Sequence, residues 1–132
     1  MREIQLRTER KTQLLDITAA VRKALGSDAE GSAALVYVPH TTAGVTINEK
    51  IDPDLLDDFE MALAGMVDEG WSWKHVDADG PNAPSHIRAS VLGPQVLVPL
   101  RDGDLALGTY QGIFFCEFDG PRARKVLVTS LI

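Results

Sequence analysis

Alternating polar and apolar residues predict extended structure at the start of the chain and through its second half. Residues 2–9 (REIQLRTE) alternate in this way, which is typical of a half-exposed strand. Later, short apolar runs are separated by Gly, Pro and Asp, as in sheets of short strands. The predicted strands are 2–9, 33–38, 43–47, 87–92, 95–100, 104–107, 110–118 and 124–131. Asp102-Gly103 and Asp119-Gly120 predict hairpin turns between the last of these strands.

Two segments show helical spacing instead. The segment 16–26 (DITAAVRKALG) has a cap at Asp16 or Thr18 and a stop at Gly26. The second helix begins with Asp52 as cap and Pro53 at its first position. Its apolar residues recur at helical spacing and predict a buried stripe of Leu55, Leu56, Phe59, Leu63 and Met66. Two helices among mostly antiparallel or mixed strands predict a single α+β domain over residues 1–132.

Composition narrows the possible functions. A chain of 132 residues that is 45% hydrophobic can bury the core of one domain. A net charge of −6 argues against a nucleic-acid partner, because phosphate binding needs a basic surface. Since no apolar run is long enough to span a bilayer, we expect no membrane partner. The single Cys116 excludes an intramolecular disulfide, predicts a buried thiol and fits a cytoplasmic location.

The three histidines lie where the chain is predicted to change direction. His40 follows a strand, while His75 and His86 flank the irregular segment 68–85, a long loop of the kind that is often functional. Three converging imidazoles could hold Zn²⁺ and leave a fourth position open for water or substrate. Their separations, 35 and 11 residues, are no local metal signature. From spacing alone, an ordinary hydrogen-bonded or surface position is favoured for each histidine over a metal site.

Three long motifs carry a resemblance to a known family. HTTAGVTINEKIDPD, PSHIRASVLG and LGTYQGIFFCEFDGPRAR together resemble the YjbQ-like family, whose members include secondary thiamine-phosphate synthases. The resemblance implies an α+β fold, a homotrimer, and a pocket where His40, His75 and His86 meet and accept a metal ion. Two features depart from the family pattern: Tyr110 replaces a tryptophan, and the acidic–glycine pair of the loop is displaced to Asp79-Gly80.

The implied synthase reaction joins a pyrimidine diphosphate to a thiazole phosphate and releases pyrophosphate. This chemistry needs basic residues or Mg²⁺ at the departing diphosphate. Arg122 is the favoured phosphate ligand because it completes the DGPR motif, whereas Arg88 and Arg101 fit solvated positions at strand ends. Three imidazoles suit zinc better than Mg²⁺, which prefers oxygen ligands. A zinc-dependent hydrolase is therefore the second enzymatic interpretation, with Mg²⁺ expected only alongside a diphosphate substrate.

Other polar residues in the motifs are candidate contacts. Thr41 and Thr42 could orient His40 or bind an anion. Asn48 ends the same strand and is a candidate substrate ligand, and Glu49 could accept a proton or complete a metal shell. Gln111, between Gly108 and Gly112, is a further candidate substrate contact.

Two kinds of function remain open at this stage. The first is an enzyme that acts on a small phosphorylated or heterocyclic substrate in a three-histidine pocket. The second is a non-catalytic trimer that binds a metal or a metabolite. In either case Glu117 and Asp119 are expected to pair with Arg122 and Arg124 rather than with substrate.

Overall fold

The computed structural model describes residues 1–27, 29–78 and 80–132, which form three helices and eight strands. The helices are α1 (Thr18–Leu25), α2 (Pro53–Gly65) and α3 (Ala83–Leu92). The strands are β1 (Arg2–Arg7), β2 (Gln13–Asp16), β3 (Ala33–Tyr37), β4 (Ala43–Glu49), β5 (Gln95–Arg101), β6 (Asp104–Leu105), β7 (Gln111–Glu117) and β8 (Ala123–Leu131). None of these helices is long and apolar enough to cross a bilayer.

The strands form two antiparallel sheets. The first has the order β1-β8-β3-β5-β6 and the second the order β2-β7-β4. One face of the first sheet packs against the second sheet through residues such as Val36, Val128 and Phe115, all of them buried. The predicted α+β class is confirmed.

Strand β7 lies at the centre of the molecule and is buried on both faces. Phe115 belongs to the core between the sheets, whereas Phe114 and Cys116 pack with residues of α2 and α3 on the other side. The thiol of Cys116 is buried as predicted, and burial raises its pKa. The order of layers is therefore the five-stranded sheet, the three-stranded sheet, and then α2 with α3.

Helix α3 corrects the prediction of a strand at 87–92 and of only two helices. The apolar letters of this segment favour a strand locally, but tertiary contacts require a helix. Ala89 packs in the second core cluster. Arg88 is buried and donates through Nη2 to the carbonyl oxygens of Ala64 and Val67 at 2.6 and 2.8 Å. Arg88 thus joins α3 to the end of α2 and is not a solvated arginine at a strand end.

The two predicted hairpin turns have different outcomes. Asp102-Gly103 joins the paired strands β5 and β6, and both residues have positive φ (52° and 77°), as this turn requires. Asp119-Gly120 is not a hairpin, because β7 and β8 belong to different sheets. The chain crosses between the sheets here, and a Cβ at Gly120 would collide with the carbonyl of Arg10.

Helix α2 begins as predicted but is less buried than predicted. The Asp52 carboxylate accepts the N–H of Asp54 at 2.9 Å, and Pro53 opens the helix. Residues Leu56, Phe59 and Leu63 are only half-buried on the second core cluster, and Met66 is 47% exposed. The stripe is less buried than predicted, because only one narrow face of α2 contacts the rest of the molecule.

Candidate functional site

A cavity of about 740 Å³ opens at one end of the two sheets. Strands β3 and β7 end there, β4 and β8 begin there, and the first turn of α3 closes one side. All three histidines line it, together with Arg122 and Arg124. These residues are far apart in sequence, and the antiparallel crossing of the chain brings them to the same end of the molecule.

His40 is held in one tautomer by the main chain. Its Nε2 accepts the backbone N–H of Lys125 at 3.0 Å. Because a backbone amide can only donate, Nε2 is unprotonated and the neutral ring carries its proton on Nδ1. Burial lowers the pKa of His40 below the ordinary 6.5, and the positive charge of Arg124 lowers it further. The site therefore keeps His40 neutral.

His75 and His86 form a pair within the cavity lining. Their ring centroids are 5.0 Å apart in an edge-to-face arrangement. His86 is half-buried in the first turns of α3, which fixes its backbone, whereas His75 is exposed in the preceding loop. The cavity thus has one histidine fixed by a strand, one by a helix and one on a loop.

A buried ion pair forms the wall behind His40. Arg124 donates through Nε to Oε1 of Glu117 at 2.9 Å and through Nη2 to Oε2, and it also reaches Oγ1 of Thr42 at 2.7 Å. Thr8 donates its hydroxyl to Glu117 at 2.7 Å. Glu117 is fully buried and Arg124 is 7% exposed. The predicted pairing of Glu117 with an arginine is confirmed, and this network fixes both side chains.

Arg122 is held at the side of the cavity and remains accessible. Its Nε and Nη2 donate to the carbonyl oxygen and the carboxylate of Asp119, both at 2.8 Å. Oδ2 of Asp77 lies 3.7 Å from Nη2 of Arg122, and the Arg122 side chain is 36% exposed. Asp119 therefore orients a guanidinium that still faces solvent, as a binding arginine must.

The structure adds residues that the sequence did not single out. Tyr37, Asp77 and Asn82 all line the cavity. Asn82 is 7% exposed, and its Nδ2 donates to Asp119 at 3.1 Å, while its buried Oδ1 has no hydrogen-bond partner among the described residues. An asparagine just before Ala-Pro is a helix-start signal that could have revealed α3. Asp79 of the displaced acidic–glycine pair lies outside the described residues.

Three sequence candidates lie away from the cavity. The register of β4 with β7 pairs Ala43 with Glu117 beside the cavity and Glu49 with Gln111 at the opposite end. Six residues of strand separate these pairs, or about 20 Å. Asn48 accepts the N–H of Glu49 through its side chain at 2.7 Å, and Gln111 accepts that of Gly108 at 2.8 Å. Thr41 and Thr42 do line the cavity, Thr41 exposed and Thr42 buried against Arg124.

The geometry offers no ready zinc ligand set. Within residues 1–27, 29–78 and 80–132, no three His, Cys, Asp or Glu side chains lie close enough together to hold a metal ion. Nε2 of His40 is already occupied by the N–H of Lys125. The arrangement therefore does not fit a three-histidine zinc site, and zinc binding stays a prediction for metal analysis.

Comparison with known proteins identifies the family. The model of the family described as UPF0047 protein YjbQ-like matches residues 2–132. The chain belongs to the YjbQ-like UPF0047 family. It is 42% identical to a UPF0047 protein of Archaeoglobus fulgidus, covering 98% of this chain and 99% of that protein. It is 41% identical to YugU of Bacillus subtilis, covering 99% and 98% of the two chains.

Solved structures with the same fold include a member of this family. A crystal structure of a YjbQ/UPF0047 protein from Clostridium acetobutylicum is 43% identical, with a TM-score of 0.87 and 98% of both chains covered. Protein APE1520 from Aeropyrum pernix K1 is 37% identical, with a TM-score of 0.89, covering 98% and 96% of the two chains. These likenesses establish the family and the fold.

Proposed function

We propose that the cavity is the active site of a small-molecule enzyme whose substrate carries phosphate. The observation that carries this proposal is that three imidazoles and an accessible, oriented Arg122 line one cavity. A guanidinium is suited to phosphate, because its planar donors match the oxygens of the anion. Imidazoles beside it can move protons near neutral pH.

Each residue has a distinct role in this proposal. Arg122 binds a phosphate group, and Asp119 keeps its guanidinium in place. His40 donates a hydrogen bond from Nδ1 without bringing a charge, because Lys125 occupies Nε2. His75 and His86 are the groups that exchange protons with substrate. The Arg124–Glu117 pair keeps the wall rigid, so these groups need no rearrangement during the reaction.

The reaction that the family resemblance favours is thiamine-phosphate synthesis, as a main or a side activity. Arg122 would stabilise the pyrophosphate that leaves the pyrimidine, and Mg²⁺ would be bound by the diphosphate oxygens rather than by the imidazoles. The cavity walls would hold the pyrimidine cation close to the thiazole nitrogen.

The test is to mix the pyrimidine diphosphate and the thiazole phosphate with purified protein and to measure thiamine phosphate and pyrophosphate. We expect turnover that falls by about 10²-fold or more in Arg122→Gln. Arg2→Gln, at an exposed position on β1, is the matched control and should leave the rate unchanged. If the wild type binds the pyrimidine diphosphate and the thiazole phosphate but forms no product, the proposed synthase activity is wrong.

The second candidate is a non-catalytic cytoplasmic trimer that binds a metal or a metabolite. The close approach of His75 and His86 favours it, since two imidazoles 5.0 Å apart can share a ligand. Zinc is the ion that imidazoles would select. In this case purified protein retains zinc, and occupancy is lower in acid because only neutral imidazole binds metal. Metal analysis at neutral and acidic pH tests the metal-binding form of this candidate, and protein purified without zinc would contradict it.

A further inference from the structure

A second, smaller cavity opens beside the histidine cavity. It measures about 320 Å³ and lies between the start of β4 and helix α3. Four residues line both cavities, namely His40, Thr41, His86 and Pro94. The small cavity is further lined by Ala43, Ala89 and Ser90. The two cavities are therefore neighbours with a common border, and two of the three imidazoles stand on it.

The small cavity exists because the side chains around it are short. Helix α3 packs against β4, and Ala43 is the first residue of that strand. Ala89 and Ser90 follow His86 by three and four residues, so the three side chains lie on one face of α3. Because alanine and serine extend little beyond the backbone, the space next to His86 stays open.

Main-chain hydrogen bonds hold the walls of the small cavity. The carbonyl of Gly93 accepts the N–H of Val45 at 3.2 Å, and the carbonyl of Pro94 accepts the N–H of Val38 at 2.7 Å. The end of α3 approaches β4 so closely that a Cβ at Gly44 would lie 2.8 Å from the carbonyl oxygen of Gly93. The cavity is therefore formed before any ligand enters, as small-molecule sites usually are.

The two cavities differ in charge. The histidine cavity is lined by four charged residues that do not line the small one, namely Asp77, Asp119, Arg122 and Arg124. Among the described residues that line the small cavity there is no lysine, arginine, aspartate or glutamate. A phosphate moved into the small cavity would lose its cationic partners, whereas an uncharged ring would gain contact with alanine and proline.

We infer that the small cavity is a subsite for an uncharged heterocyclic ring, and that a ligand crosses the border with its phosphate in the histidine cavity and its ring in the small one. The assignment of the phosphate end rests on the proposed function, but the ring subsite does not. The hydroxyl groups of Thr41 and Ser90 supply the donors and acceptors that a ring heteroatom needs. The atoms that join ring and phosphate then lie beside His40 and His86.

The first test is calorimetric titration of the wild type with inorganic phosphate and with the thiazole phosphate. The two ligands share the charged group, and only the second carries a ring. We expect the thiazole phosphate to bind at least about tenfold more tightly, because a fitted pocket gains that factor from a few apolar groups. Equal binding of the two ligands overturns the inference, since the ring then contributes nothing.

Two substitutions on α3 locate the ring, with circular dichroism to verify folding. Ser90→Phe fills the small cavity, and Val91→Phe adds the same side chain at a neighbouring position that is 64% exposed and lines neither cavity. We expect Ser90→Phe to bind the thiazole phosphate at least about tenfold more weakly than wild type and to bind pyrophosphate equally well. Val91→Phe should bind both ligands as the wild type does.

Ser90→Leu repeats the change with a side chain of another shape. If both Ser90 variants bind the thiazole phosphate as tightly as wild type, the inference is wrong. It is also wrong if Ser90→Phe loses pyrophosphate to the same degree, because the two cavities would then act as one.

Histidine NMR with the thiazole alcohol, the same ring without its phosphate, separates this inference from the proposed function. The imidazole signals of ¹⁵N-labelled protein are assigned from the His40→Gln, His75→Gln and His86→Gln variants. The alcohol should shift the His40 and His86 signals in wild type and in Arg122→Gln, but not in Ser90→Phe. His75 lines only the histidine cavity and should shift least.

The two failures are distinguishable. If pyrophosphate does not bind while the alcohol shifts these signals, the proposed phosphate site is wrong and the ring subsite stands. If pyrophosphate binds through Arg122 while the alcohol shifts none of them, the ring subsite is wrong and the phosphate site stands.

Discussion

The backbone N–H of Lys125 donates to Nε2 of His40 at 3.0 Å, which fixes both the tautomer and the charge of that imidazole. The bond spans 85 residues and joins the start of β8 to the segment between β3 and β4. A protonated Nε2 would face the amide hydrogen and lose the bond. His40 is therefore predicted to be a neutral Nδ1–H tautomer in the folded protein. Nitrogen-15 shifts of labelled histidine measure this directly, and an Nε2–H tautomer would contradict it.

Stability should depend on pH through the same residue. The pKa of His40 is lowered in the folded state, so below the unfolded value of about 6.5 the unfolded chain binds the additional proton. The contribution of His40 to the free energy of unfolding should be constant above about pH 6.5 and should decrease as pH falls below it. Denaturant unfolding of wild type and His40→Gln at each pH measures this. If the free energy of unfolding depends on pH equally in both proteins, the assignment to His40 is contradicted.

The buried Arg124–Glu117 pair makes a second prediction. Glu117→Gln leaves the charge of Arg124 buried without its partner, which costs about 3–5 kcal/mol of unfolding free energy. Glu3→Gln removes an exposed partner of Lys125 at 3.8 Å and should cost about 0.5 kcal/mol or less. Chemical denaturation of the two variants should separate them clearly. Similar small losses of unfolding free energy in both variants would mean that water reaches the Arg124–Glu117 pair.

Two phenylalanines should differ in their contribution to stability. Phe115 is fully buried between the sheets, so Phe115→Ala should cost about 3–5 kcal/mol. Phe59, on the inner side of α2, is only half-buried, and we expect its truncation to cost roughly half as much. Asp57 and Asp58 are exposed, and replacing either should change stability by about 0.5 kcal/mol or less. A Phe59→Ala loss equal to that of Phe115→Ala would mean that α2 is buried more deeply.

The sequence predicts most strands and the starts of two helices, because these depend on local pattern. Asp52 with Pro53 and Asp102 with Gly103 act within a few residues, and both are confirmed. Helix α3 was missed because its stability comes from Arg88 binding carbonyls about twenty residues away. Strand β2 was missed because its four residues pair with β7, about 100 residues later in the chain.

Local sequence pattern likewise predicts only part of the candidate site. The motifs contain His40, His86 and Arg122, and His75 was selected as the remaining histidine; all four line one cavity. The motifs also select Glu49 and Gln111, which the register of β4 with β7 places at the other end. The hydrogen bond of Asn82 to Asp119 and the neutral state of His40 depend on contacts across the fold, and no local pattern contains those contacts.

The central claim is that the histidine cavity binds phosphate through Arg122, and calorimetric titration with pyrophosphate tests it most directly. We expect saturable binding to the wild type and to Arg2→Gln, and at least about tenfold weaker binding to folded Arg122→Gln, a difference of about 1.4 kcal/mol. When the same titration is followed by NMR of ¹⁵N-labelled histidine, the imidazole signals should shift. Pyrophosphate that binds Arg122→Gln as tightly as wild type, or that leaves all three histidine signals unchanged, would contradict the account.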